Sequence, residues 1–155
     1  MNERFLIINA DDFGLCESMN QAICELFRLG AVTSSSILSP APMAMNACRY
    51  AKEGSFPVGV HWTLFSEWKE ECWMPADKEK RDSSLTVNGL LPADGGAAAK
   101  RAVSGDVTRE LEAQYRFMMD AGCMPDHADS HGGNLYGING RLFFLNAFRL
   151  CQKYS

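Results

Sequence analysis

Strand-type and helix-type hydrophobic patterns alternate along this chain, and that alternation is what most limits the folds open to it. The run Phe5-Leu6-Ile7-Ile8-Asn9-Ala10 belongs to a strand over residues 4–10. Met19, Ala22, Ile23 and Leu26 then recur at helical spacing over residues 17–29, with Gly30 placed as the stop. Residues 32–38 read as a second strand, followed after Pro40 and Pro42 by a short helix over about 43–52. Pro57 leads into a third strand, Val58-Gly59-Val60-His61-Trp62-Thr63-Leu64. A helix over about 106–121 carries Val107, Leu111 and Met118 on one face and ends at Gly122 and Pro125. Residues 126–131 form a fourth strand. A last helix spans 141–153, with Leu142, Leu145 and Phe148 toward the core and Arg149 and Lys153 toward water. Such alternation implies parallel strands joined by right-handed crossovers. A closed barrel takes about 250 residues, so 155 residues make either a small open sheet or the first part of a longer barrel.

Asp11 and Asp12 stand side by side at the end of the first strand and are followed at once by Phe13-Gly14. Adjacent strand side chains point opposite ways, which opens the pair to different roles. An Asx turn or a helix N-cap is the plainer use of such a doublet. All three histidines also fall on strand-like segments or just past one. His61 lies in the far part of the third strand, and His127 and His131 lie in Pro125-Asp126-His127-Ala128-Asp129-Ser130-His131-Gly132-Gly133. In α/β proteins that end of the sheet is where ligands gather. One Asp with two His makes a ligand set for a divalent ion that keeps positions open for water. A hydrogen-bonded structural role is the other reading of each histidine.

Residues 67–104 hold no period for long and are punctuated by Pro75, Asn88-Gly89, Pro92 and Asp94-Gly95-Gly96. A loop of that length in a compact domain is functional or mobile. Trp62, Phe65, Trp68 and Trp73 at its entry serve either packing or the stacking of sugar rings. The chain reads as one domain over residues 1–155. Its net charge of −4, without a basic cluster, argues against nucleic acid or an anionic membrane as partner. No apolar run approaches the roughly 20 residues that span a bilayer, and no signal pattern opens the chain, so a cytoplasmic location is expected. The 6 cysteines are spread singly without a Cys-x-x-Cys pair and read as free thiols.

The segments Asn9-Ala10-Asp11-Asp12-Phe13-Gly14, Gly30-Ala31-Val32-Thr33-Ser34, Val58-Gly59-Val60-His61 and His127-Ala128-Asp129-Ser130-His131 occur in an order that resembles the YdjC-like carbohydrate deacetylases. That family contains the chitooligosaccharide deacetylases. The resemblance implies a distorted TIM-like (β/α) barrel of seven or eight strands, apparently incomplete here, that removes acetyl groups from N-acetylated sugars. It implies that Asp12, His61 and His131 hold a divalent metal and that Asp11 is the general base. Asp129 would orient a ligand histidine, and His127 is a candidate acid for the leaving amine. Members of the family are described as Mg²⁺-dependent, whereas two imidazoles and a carboxylate favour Zn²⁺. A non-catalytic metal or sugar binder and a metal-dependent phosphoesterase are the alternatives. Unpaired edges of a half barrel would favour self-association, most simply as a homodimer.

Overall fold

Each strand is followed by a segment that carries the chain back across one side of the sheet, so sheet order repeats chain order. The computed structural model describes residues 3–154. The elements are β1 (Asn9–Phe13), α1 (Glu17–Arg28), β2 (Ser34–Ile37), α2 (Ala44–Gly54), β3 (Val58–Trp62), α3 (Gly95–Arg101), α4 (Ser104–Asp120), β4 (Ala128–Ser130) and α5 (Phe144–Tyr154). A short 3₁₀ turn, His131–Gly133, follows β4. The sheet has 4 strands in the order β1-β2-β3-β4, and every pairing is parallel. This is the α/β arrangement that the alternation predicts, and it matches part of a TIM-like barrel.

The core lies between the sheet and its helices. Val58, Val60 and Trp62 of β3 are buried in one cluster with Val107, Leu111 and Met118 of α4, the face read from the helical spacing. The Trp62 indole N–H donates to the Leu111 carbonyl at 2.9 Å and ties strand to helix. Helix α2 buries only small side chains, Ala44, Ala47, Cys48 and Ala51, which lets it lie close to the sheet. Gly14 makes that approach possible. Its φ is +104°, and a Cβ there would fall 2.8 Å from the Ala44 Cα, so a side chain would force the end of β1 away from α2. Asn20, fully buried in α1, fastens the same corner by accepting from the Gly14 N–H at 2.7 Å and donating to the Met43 carbonyl at 3.2 Å.

Several expectations are corrected. The first strand begins at Asn9, and Phe5, Leu6 and Ile7 are 89%, 74% and 79% exposed. The outer edge of β1 has no neighbouring strand among the described residues, so this apolar run has nothing to pack against. On α1 the buried residues are Asn20, Ile23 and Cys24, while Ala22 and Leu26 face water. On α5 the buried residues are Asn146, Ala147 and Leu150, while Leu145 and Phe148 are exposed, as is Leu142 ahead of the helix. Helix α5 carries apolar side chains on more than one face, and the smaller Ala147 with Leu150 takes the buried one.

The region 67–104 is more ordered than its punctuation suggests. It contains α3, nucleated where the Asp94 carboxylate accepts from the Gly96 and Ala97 N–H groups ahead of an alanine run. Trp73, Leu85 and Leu91 are buried. Helix α4 pins the segment: Glu110 accepts from the Ala76 and Asp77 N–H groups at 2.9 and 3.0 Å, and Asp106 accepts from that of Ser84 at 2.8 Å. Among the described residues no disulfide joins the cysteines. Among the described residues no helix is long and apolar enough to cross a membrane.

Candidate metal centre

The Asp-Asp doublet is shaped by an irregularity in β1. Pairing with β2 shifts register between Ala10 and Phe13, and Asp12 adopts a left-handed φ of 65°. A non-glycine residue in that region is uncommon and costs free energy that the surroundings must offset. The simple alternation of strand side chains is therefore broken, and both carboxylates reach the same imidazole. Asp12, His61 and His131 bring one ligand atom each within 4.8 Å of one another, and so do Asp11, His61 and Asp129.

Within the first group, Asp12 Oδ1 lies 3.2 Å from His61 Nε2 and 3.0 Å from His131 Nδ1. Ligands about 2.1 Å from a tetrahedral ion stand about 3.4 Å apart, so this donor set fits a divalent cation. His61 and His131 are 2% and 5% exposed. Burial works to raise the Asp12 carboxyl, but its hydrogen bonds with His131 and His61 and their charge prevail and hold it well below the ordinary carboxylate range. Burial works to lower His61. The adjoining Asp12 and Asp129 carboxylates outweigh that and push it up to about 9.

The far side of His61 is held by a polar network. Its Nδ1 lies 2.6 Å from Asp129 Oδ1 and 3.1 Å from the Ser36 hydroxyl. Ser36 donates to Asp129 Oδ2 at 2.7 Å. The Asn9 amide donates to Asp11 Oδ1 at 2.7 Å and to Asp129 Oδ2 at 3.2 Å, and its carbonyl accepts from Ser34 at 2.7 Å. A carboxylate on the outer nitrogen of an imidazole fixes ring orientation and tautomer, leaving the inner nitrogen free to ligate.

The structure brings Asp11, Asp12, His61, Asp129 and His131 together. Asp129 meets His61 and not its near neighbour in sequence, His131. His127 belongs to neither group. Its ring lies over Gly59, where a Cβ would fall 2.5 Å from Cδ2, and its Nδ1 is 2.5 Å from Asp126 Oδ1. Of the aromatic residues, Phe65 and Trp73 lie beside His131, with ring centroids 4.9 and 6.2 Å away. Trp62 packs in the core, and Trp68 is 43% exposed. Sequence reasoning missed Asn9, Ser34 and Ser36. For Ser34 and Ser36 the signal was a polar Ser/Thr run within a segment flanked as a strand.

A family model described as YdjC-like protein matches residues 5–153. A carbohydrate deacetylase of Geobacillus stearothermophilus is 38% identical over 130 residues, covering 83% of this chain and 49% of that protein. A chitooligosaccharide deacetylase of Proteus mirabilis is 38% identical over 130 residues, covering 81% of this chain and 48% of its own length. A solved structure from Enterococcus faecalis V583, provisionally described as a cellobiose-phosphate cleavage protein, superposes with a TM-score of 0.82 at 31% identity. It covers 96% of this chain, which covers 55% of it. The chain thus spans about half the length of these relatives.

Proposed function

The chain belongs to the YdjC-like family, and we propose that it carries the metal-binding half of a hydrolase that removes the N-acetyl group from acetylated sugars or chitooligosaccharides. The observation that supports this reading best is the convergence of Asp12, His61 and His131, with Asp11 reaching the same imidazole. In it, Asp12, His61 and His131 hold a divalent ion. The donor set favours Zn²⁺ on softness, the family resemblance favours Mg²⁺, and metal content decides between them. When bound, such an ion lowers the pKa of water and polarises an acyl carbonyl.

The chain's own groups supply the rest. Asp11 is the exposed member of the cluster, and the Asn9 amide donates to its Oδ1. Asp11 takes the proton from water as that water attacks the acetyl carbon, and returns it to the amine nitrogen as the C–N bond breaks. Asp129 orients His61, and Phe65 and Trp73 shield the His131 side of the site from water. The reading gives His127 no part.

A metal-dependent phosphoesterase is the second reading, since Asp/His sites also serve that chemistry. Asp11, Asp12 and Asp129 crowd the two imidazoles with negative charge, which favours a neutral acetamido group over a phosphate. Incubating the metal-loaded chain with N,N′-diacetylchitobiose and with a cellobiose phosphate separates the readings. Acetate from the first substrate alone supports deacetylation, phosphate from the second overturns it, and neither product indicates a binding protein.

The exposed run Phe5-Leu6-Ile7 and the apolar side chains of α5 favour association with another copy. The proposal therefore includes a homodimer, which light scattering on the purified chain would test. It also includes a cytoplasmic location without nucleic-acid or membrane partners, in keeping with the net charge of −4.

A further inference from the structure

We infer that Glu67 is a positioning residue for His131, so that the long segment after β3 sets how tightly the metal centre holds its ion; the inference rests on the metal-binding reading above. His131 presents Nδ1 to Asp12, which turns Nε2 to the opposite side of the ring. That Nε2 is buried and has no aligned hydrogen-bond partner. Glu67 Oε2 stands 3.0 Å from it. A buried N–H left without an acceptor is costly, and Glu67, with its side chain 38% exposed, has the freedom to turn its carboxylate into line. The contact is the counterpart of Asp129 on His61. Each imidazole then has one nitrogen facing Asp12 and the other facing a carboxylate, but with the ring atoms exchanged: His61 ligates through Nε2 and His131 through Nδ1.

The backbone leading to Glu67 is anchored at its neighbour, leaving the side chain free to turn. The adjacent Ser66 is fully buried; its N–H donates to the Pro92 carbonyl, and its hydroxyl donates to the Leu91 carbonyl and accepts from the Trp73 N–H, all at 2.8 Å. The His131 ring is lodged beside Phe65 and Trp73. At Gly132, φ is +52° and a Cβ would fall 2.8 Å from Phe65 Cζ, so the turn after His131 comes as close to this segment as a glycine allows. The first residues of the segment thus close over His131 and deliver Glu67 to its outer nitrogen.

The test compares the wild-type chain with Glu67→Ala and Glu67→Gln. Zn²⁺ affinity is measured by chelator competition, and imidazole ¹⁵N NMR of the Zn²⁺-loaded wild type identifies the ligating nitrogens. Glu67→Ala should weaken Zn²⁺ binding 10–100-fold, the usual effect of losing a carboxylate on a ligand histidine. Glu67→Gln, whose amide oxygen accepts the same N–H, should recover most of it. The spectrum should show His131 ligating through Nδ1 with Nε2 protonated, a signature that a merely structural Glu67 would not require. Affinity of Glu67→Ala within twofold of wild type, or ligation through His131 Nε2, overturns the inference while leaving the metal centre intact. A wild-type chain that takes up no Zn²⁺ overturns the metal-centre reading itself, and the inference with it.

Discussion

Asp129 and His61 stand opposite each other in the β3–β4 pairing, and their side chains meet there, Oδ1 to Nδ1, at 2.6 Å. The contact decides which nitrogen of His61 is left for a ligand. Asp129→Ala is expected to lower metal affinity 10–100-fold, with Asp129→Asn, which keeps an acceptor, falling less far. Chelator competition on both variants checks this, and wild-type affinity in Asp129→Ala would remove Asp129 from the site.

Asp11 reaches the cluster without belonging to the Asp12, His61 and His131 group. Asp11→Asn is therefore expected to bind metal as the wild type does while losing about 10²–10⁴ in turnover, the usual share of a general base. Parallel metal analysis and acetate assays distinguish this from a ligand role, in which both quantities would fall together.

The long segment is anchored at Glu110, which is 1% exposed and accepts from the Ala76 and Asp77 N–H groups and the Gln114 amide. Glu110→Ala leaves those buried donors without an acceptor. A loss of about 2–4 kcal/mol in unfolding free energy is expected, read from urea titration. Glu110→Gln, which keeps one acceptor oxygen, should lose less.

Acid weakens a different contact. Glu112 accepts from Lys153 at 2.8 Å and from Tyr154 at 2.5 Å, joining α4 to α5. Lys153 first, then Tyr154, hold its carboxyl down at about 2, against an ordinary 4.5. A carboxylate depressed in the folded state stabilises the fold above its unfolded pKa and loses that contribution as pH falls through the folded one. The α4–α5 contact should therefore weaken between pH 4.5 and about 2. Asp106 is also held low, so the informative quantity is the difference in urea midpoint between wild type and Glu112→Gln. It should shrink across that window, and a constant difference would contradict the assignment.

The βα order was legible in the sequence because strand and helix periods are local, and Val107, Leu111 and Met118 mark the buried face of α4 directly. Phe5, Leu6 and Ile7 misled because hydropathy records a preference for burial without saying whether a neighbouring strand is there to supply it. Leu145 and Phe148 misled because α5 carries apolar side chains on more than one face, and Ala147 and Leu150 take the buried one. Helix α3 was hidden because Asp94-Gly95-Gly96 reads as a break, although Asp94 caps the alanines that follow. At the site, residue types pointed to one Asp with two His, and the family resemblance singled out Asp12, His61 and His131 among them. The partners of those residues depend on strand register and on the bulge at Asp12, which no local pattern encodes. Asp129 beside His61, and Glu67 beside His131, are relationships of the folded chain.

In the proposed reaction, deacetylation depends on a metal ion held by Asp12, His61 and His131. Metal content and acetate release from N,N′-diacetylchitobiose, measured on wild type and Asp12→Ala, decide whether it does. The wild type should hold one divalent ion and release acetate, with both lost in the variant. A wild-type chain without metal, or an Asp12→Ala variant that keeps both, would contradict it.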